Sequence, residues 1–265
     1  MLANIQSHLP ADFPWKESIL YFDTIHSTNT AAKELAAKGA PHGTVLLANH
    51  QTGGRGRLGR SFHSPAGSGI YLSVILRFPC NAEALMHLTC ATAVAVCDAI
   101  ASASELRPGV KWTNDLVFGK QKLGGILTEL SFRPNGQVDY AVVGIGINST
   151  QKEKDFPQDI RSMATSLSLA VGHDLKRDMV AAKILIHLQK TMDTLLSNKD
   201  TIMQQYRQDC ITIGSEICVC RADSVQYGVA TGVDDNGALL VRFSDGHAEA
   251  VHTGEVSIRG MYGYI

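Results

Sequence analysis

The 265-residue chain has no excess charge of either sign: 24 Lys and Arg stand against 25 Asp and Glu. No global field recruits nucleic acid, and any basic character has to be local. Its six cysteines, Cys80, Cys90, Cys97, Cys210, Cys218 and Cys220, form no C-x-x-C pair and no Cys/His metal spacing. They read as buried thiols of a reducing compartment. Residues 1–15 lack the basic-then-apolar order of a secretory leader, and no apolar run is read as reaching membrane-spanning length. A soluble, cytoplasmic protein is expected. Neither an internal repeat nor a low-complexity tract is present. With 45% apolar and 18% charged residues, the chain can bury one substantial core and a small second module.

What the chain does have is concentrated in residues 51–68. Gln51-Thr52-Gly53-Gly54-Arg55-Gly56-Arg57-Leu58-Gly59-Arg60 runs on to Pro65-Ala66-Gly67-Ser68, with five glycines, three arginines and one proline. The stretch lies between two strand-like runs, Thr44 to His50 and Ile70 to Leu76, and reads as a long mobile loop joining neighbouring strands. Glycine lets backbone approach a ligand, and arginine supplies a fork of donors for carboxylate or phosphate oxygens. Gly54, Gly56 and Gly59 spell G-x-G-x-x-G, but no helix follows and no acidic residue stands near position 79. A dinucleotide-binding reading is therefore rejected. Two readings stay open on this stretch alone: an anion site, or a solvated loop with weak ion pairs.

Ile19 to Phe22 is strand-like, and Ser27-Thr28-Asn29-Thr30 caps a helix expected from Asn29 to Lys38. Amides and hydroxyls at such a start serve as an N-cap and also as a polar floor for a carbonyl, ureido or anionic group. Ala82 to Ala103 is a long apolar helix with no assigned chemistry. Residues 110–130 parse as strand, Asn114-Asp115 turn, strand, Gly119-Lys120 turn and a further strand, flanked by Lys111 and Lys122. Gly124-Gly125 inside the last strand costs stability unless a bulge or a ligand needs the room. Val138 to Ile147 is a strand whose Gly144 and Gly146 leave a smooth floor for a flat ring, ending at Asn148. A helical region follows from Ala164 and from Leu175 to Gln208. Beyond Ile211, short strands at 217–219, 228–233, 238–243 and 248–252 fit a small β-barrel.

In order and spacing, these motifs together resemble the biotin–protein ligase family. The resemblance rests on Ser27-Thr28-Asn29, Gln51 with Gly54 to Arg60, Ser64-Pro65, Lys111-Trp112-Thr113-Asn114-Asp115, Lys122 to Leu127 and Gly144 to Asn148, and ends at Gly254-Glu255-Val256-Ser257-Ile258. It implies an α+β fold, a mixed β-sheet flanked by helices as in class II tRNA synthetases, with a small C-terminal SH3-like β-barrel. The catalytic domain would be residues 1–210 and the barrel 211–265. It also implies an ATP-dependent activation of biotin to biotinyl-adenylate and its transfer to a lysine of the biotin carboxyl carrier protein of acetyl-CoA carboxylase. By the same resemblance Ser27, Thr28, Asn29, Gln51, Arg55, Gly56, Arg57, Lys122 and Gly125 contact biotin. Arg57, Arg60, Lys111, Trp112, Asn114 and Asn148 hold ATP, and Asp115 holds Mg²⁺. Lys122, Arg57 and Lys111 are the catalytic cations.

The chain departs from the family pattern at Phe62, where many relatives have tryptophan, and at Thr113, where proline is usual; neither removes a charged role. The first ligand motif begins at Ser27, so repression through an N-terminal DNA-binding domain is not expected. A homodimer is left open. The same scaffold would also suit a lipoate or octanoate ligase, although the arginine and glycine motif of those relatives is not found. A binding module for RNA or a protein partner is the reading from a different class, and near-neutral charge stands against it.

Overall fold

The computed structural model describes residues 2–221, 224–252 and the backbone of 257–260. Seven strands, β1 (Ile19–Ile25), β2 (Thr44–Gln51), β3 (Gly69–Leu76), β4 (Gly109–Lys111), β5 (Asp115–Phe118), β6 (Gln121–Phe132) and β7 (Val138–Asn148), form one sheet. Its order is β1-β2-β3-β7-β6-β5-β4. Only β1 and β2 run parallel, and all other neighbours are antiparallel. Parallel neighbours need a crossover. Here it includes a helix, the first described after β1, and its start lies beside the C-terminal ends of both strands.

Six helices are described: α1 (Leu2–His8), α2 (Thr28–Ala37), α3 (Leu88–Ser104), α4 (Leu167–Val171), α5 (Arg177–Asp193) and α6 (Lys199–Asp209). On one face of the sheet Ala32 and Ala36 of α2 pack on Leu46, Ile75, Tyr140 and Val142. On the other, α1, α3, α5 and α6 bury the larger core with Val45, Leu47, Leu72 and Val74. Every residue of β3 is buried, as expected of a strand covered on both faces. The stretch Glu83–Ser104 is long and apolar enough to cross a membrane, contrary to the sequence reading of spanning length. However, 72% of its apolar window is buried inside this fold.

Three elements differ from the sequence expectation. The helix placed at Ala82 to Ala103 opens with a separate 3₁₀ turn, Glu83–Leu85, and α3 starts only after His87. The region 175–208 is two helices, because Thr194 closes α5 at φ −109° and ψ 8°. Helix α1 and the buried Leu9, Phe13 and Trp15 after it were not expected; seven residues are too few to show a helical period.

His87, the residue before α3, is buried: it is 1% exposed and its Nε2 lies 3.0 Å from the Leu195 carbonyl oxygen. Burial pushes its pKa down, the Leu195 carbonyl works the other way, and Lys199 lowers it further. The unfolded chain takes up this proton near the ordinary value of about 6.5 while the folded chain resists it. The stabilising contribution is therefore whole above that pH and is lost as pH falls below it. Thermal unfolding between about pH 7.5 and 5.5 should show a decline in Tm on the acid side that is smaller in His87→Gln.

The C-terminal strands β8 (Glu216–Cys220), β9 (Val225–Val233), β10 (Leu239–Phe243), β11 (Ala248–Val251) and β12 (Ser257–Gly260) form a second, antiparallel sheet in the order β11-β10-β9-β8-β12. Of the run 254–258, residues 254–256 lie outside the described residues. The module rests on the first unit through the turn at Asp234 to Gly237. Trp112 Nε1 donates to the Gly237 carbonyl at 2.8 Å, Lys199 Nζ to Asn236 Oδ1 at 2.7 Å, and Arg207 pairs with Asp235. Gly237 sits at φ +86°, where a side chain would be strained. All six cysteines are free thiols.

Candidate active site

The N-terminus of α2 supplies the floor of a cleft. Ser27, Thr28 and Asn29 are 2%, 4% and 4% exposed, so their polar groups must find partners inside the protein. Ser27 caps the helix by accepting from the Thr30 amide at 3.4 Å. Gln51, at the end of β2, accepts from the Thr28 amide at 2.8 Å and from its hydroxyl at 3.0 Å. The other end of Gln51 donates to Ser64 Oγ at 3.0 Å, and Ser64 donates to the Phe62 carbonyl at 2.9 Å. Gln51 thus lines the cleft, but its amide braces the floor against the base of the loop.

Ser73 is part of this floor and was missed from the sequence. Its hydroxyl donates to Asn29 Oδ1 at 2.6 Å and lies 2.8 Å from Thr28 Oγ1. The signal was available: one serine in the otherwise apolar run from Ile70 to Leu76, in a strand buried on both faces, requires a polar partner. The glycine floor also has a concrete cause. A Cβ on Gly144 would fall on the Asn29 amide oxygen, and one on Gly146 would lie 2.7 Å from the Phe62 ring. The flat ring lying over Gly146 is thus the chain's own Phe62. Asn29 is held by Ser73, Leu127 and Glu129 and cannot turn aside. Gly144→Ala is therefore expected to cost about 1–3 kcal/mol and to weaken ligand binding at the floor, measurable as a lower Tm and a raised Kd.

Cations gather at the far end. Lys122 Nζ donates to Asp115 Oδ1 at 2.6 Å, and Asn114 Nδ2 lies 3.3 Å from the same oxygen while donating to the Ile126 carbonyl at 3.0 Å. Asn114 Oδ1 accepts from Arg57 NH1 at 3.0 Å. The other terminal nitrogen of Arg57 is buried with no partner among the described residues, which leaves one donor of a charged group for a guest. Burial is the main influence lowering the Arg57 pKa and Arg60 adds to it, while Asp115 and Tyr206 oppose it. Lys111, at the end of β4, is 8% exposed and lines the same space. Asp115 is the single carboxylate among the cleft-lining residues, and no group of three metal-ligating side chains occurs among the described residues.

The double glycine divides into two cases. A Cβ on Gly124 would strike the Gly146 carbonyl and lie 2.7 Å from Ile147 Cδ1, so strand packing alone demands glycine there. A Cβ on Gly125 would be 3.4 Å from Asp115 Oδ1 and 3.6 Å from Lys122 Nζ, which is ordinary contact. There the absent side chain leaves room for a guest.

The arginine loop is not structureless, as a mobile loop would be. Arg55 bridges to Ser61, the Gly56 amide donates to the Arg60 carbonyl at 2.7 Å, and Phe62 donates to Gly54 at 2.9 Å. Its tip turns through Leu58 and Gly59 at φ 54° and 72°. The result is a small hairpin that contributes Arg55, Gly56, Arg57, Leu58, Arg60, Ser61 and Phe62 to the cleft wall. The cleft encloses about 1070 Å³ including its open mouth, with an apolar side of Leu72, Ile126, Leu127 and Ile145. That is the scale and character of a small-molecule site.

Fourteen residues singled out from sequence line this one cleft: Ser27, Thr28, Asn29, Gln51, Arg55, Gly56, Arg57, Arg60, Lys111, Trp112, Asn114, Asp115, Lys122 and Gly125. Asn148 does not line it. Its amide donates to the Thr165 carbonyl at 2.9 Å, tying the end of β7 to the segment before α4. Trp112 lines it as a fixed wall, with its amide donating to Thr212 Oγ1 at 2.9 Å and its indole to Gly237. The Trp112–Thr113 peptide is cis.

Residues 21–148 match the biotin/lipoate A/B protein ligase family, and residues 212–259 match the biotin protein ligase C-terminal domain. The bifunctional ligase/repressor BirA of Bacillus subtilis is 36% identical over 231 residues, covering 87% of this chain and 71% of its own. The biotin–acetyl-CoA-carboxylase ligase of Mycobacterium tuberculosis is 33% identical, covering 87% and 85%. The structure of the Aquifex aeolicus biotin protein ligase in complex with biotin and ATP superposes with a TM-score of 0.77 at 29% identity, covering 91% of this chain and 98% of that one. On these likenesses, together with a cleft assembled from the residues described above, the chain belongs to the biotin protein ligase family.

Proposed function

We propose that the protein is an ATP-dependent biotin–protein ligase that makes biotinyl-5'-adenylate and passes the biotinyl group to a lysine of a biotin carboxyl carrier protein. The observation that carries this reading is the convergence of Arg57, Lys111 and Lys122, from three separate segments, at one end of a cleft whose other end is the hydrogen-bonding floor of Ser27 to Asn29. The fused polar ring of biotin suits that floor, and its aliphatic tail suits the apolar side. In the first step a biotin carboxylate oxygen attacks the α-phosphorus of ATP, the bond to the bridging oxygen breaks, and pyrophosphate leaves. In the second, the lysine amine attacks the acyl carbon, an amide forms, AMP leaves and the amine gives up a proton.

The first step brings two anions together. Lys122, Lys111 and the loop arginines offset that repulsion and stabilise charge on the phosphoryl oxygens. The Arg57 nitrogen that has no partner among the described residues would donate to such an oxygen. A mixed anhydride is lost when water reaches it, and the hairpin of Gly54 to Phe62 covers it. Mg²⁺ keeps much of its water and takes phosphate oxygens plus one or two carboxylates, so Asp115, the one carboxylate in the described cleft lining, would hold it, and the ion would neutralise charge at the triphosphate. Asn148 supports the nucleotide side indirectly, through its bond to Thr165. We place the boundary between the catalytic unit and the C-terminal module at Cys210, after α6.

Incubation with ATP, Mg²⁺ and either biotin or lipoate, followed by pyrophosphate release, tests the reading. Release is expected with biotin; release with lipoate alone would reject it. Salt-dependent RNA binding without adenylate formation would favour the binding-module alternative instead.

A further inference from the structure

Glu129 belongs to neither the expected site nor the cleft wall, yet it touches both halves of the cleft. It lies in β6 opposite Val142 of β7, in the interior of the sheet, and its side chain is 20% exposed. One oxygen accepts from Lys33 Nζ at 2.9 Å and faces Arg55 NH1 at 3.4 Å; the other accepts from Asn29 Nδ2 at 3.1 Å. Lys33 is on α2, Asn29 opens that helix in the cleft floor, and Arg55 stands at the neck of the hairpin, where it bridges to Ser61.

We propose that Glu129 is a positioning residue for the ligation: by fixing the Asn29 amide and tethering Arg55, it aligns the cleft floor and keeps the hairpin closed over the adenylate. The inference rests on the ligase reading above. The Asn29 oxygen receives the Ser73 hydroxyl, while its nitrogen faces two acceptors, the Leu127 carbonyl at 3.3 Å and Glu129. This arrangement permits one orientation of the amide and leaves its carbonyl side toward Gly144. Arg55 thus enters the cleft wall as a partner of Glu129. Burial pushes the Glu129 carboxyl up, but Lys33, Asn29 and Arg55 together hold it below its ordinary value, so it is ionised where the enzyme works. An ionised carboxylate on a rigid strand is a better tether than a neutral acceptor, because charge-assisted hydrogen bonds are the stronger kind.

The test is Glu129→Gln in the full chain, compared with Lys33→Met, which removes the remaining partner of Glu129 without touching floor or hairpin. Preformed adenylate is followed by its dissociation, and biotin by KM and kcat for pyrophosphate release. Glu129→Gln should release adenylate about fivefold faster and raise the KM for biotin by more than it lowers kcat. Lys33→Met should lower Tm but retain adenylate as the wild type does. Adding Glu129→Gln to Arg55→Met should accelerate release by less than Glu129→Gln does in the wild type, since only the Asn29 contact remains to be lost. Adenylate retention in Glu129→Gln equal to wild type, or equal losses in Lys33→Met and Glu129→Gln, would overturn the inference while leaving the ligase reading in place. A wild type that releases no pyrophosphate with biotin would overturn both.

Discussion

Lys122→Ala should lower the rate of biotinyl-adenylate formation by about 10²–10³-fold, the effect of removing one preorganised charge from the place where negative charge gathers. The ion pair with Asp115 at 2.6 Å offers a competing explanation. Losing Lys122 also strands a carboxylate among Asn114, Arg57 and the incoming phosphates, and that repulsion alone could slow the reaction. The two are separable by adding Asp115→Asn, which removes the carboxylate but restores no cation, with Asp115→Asn alone at saturating Mg²⁺ as the reference that carries any loss of metal binding. If Lys122 acts on substrate, the double variant is slower than Asp115→Asn in single-turnover pyrophosphate release by about the same factor that separates Lys122→Ala from the wild type. Recovery toward the Asp115→Asn rate would show that Lys122 merely neutralises Asp115.

Arg57→Gly should leave the fold intact and shorten the residence time of the adenylate by about a hundredfold, or ~2.7 kcal/mol. The guanidinium is held by Asn114 Oδ1 at 3.0 Å on one side and has a nitrogen with no partner among the described residues on the other. Its bond to Asn114 makes it a clamp between the hairpin and the β4–β5 turn. Because the escaped anhydride reacts with any amine it meets, the variant should also biotinylate bystander lysines. Adenylate dissociation measured after rapid dilution provides the readout. An unchanged rate, with an unchanged Tm, would remove Arg57 from the assignment.

Much of the site was legible because its chemistry depends on residue types that sequence displays: a glycine-and-arginine loop, two lysines about a turn, and a polar helix start. Their convergence was not read from any one motif. It follows from the order of the sheet, which sets β7 between β3 and β6 and so brings the loop after β2 within reach of the lysines on β4 and β6. What sequence missed was support. Ser73 and Glu129 act through Asn29, and Gln51 braces the floor as well as lining the cleft; these roles depend on which atoms meet across strands and not on spacing along one. Gly124 and Gly125 look alike in sequence, but only the first is required by its neighbours. Helix α1 is too short to announce itself, and the buried contact of His87 is with a carbonyl more than a hundred residues away in the chain.

The central claim is that cations from three segments bring the biotin carboxylate and the α-phosphate of ATP into reacting distance within one cleft. A crystal structure with biotin and a non-hydrolysable ATP analogue tests it most directly. The account predicts the biotin ring on Ser27 to Asn29, its carboxylate near Lys122, and Arg57 and Lys111 on the phosphate oxygens. Biotin seated elsewhere, or a triphosphate bound out of reach of its carboxylate, would contradict it.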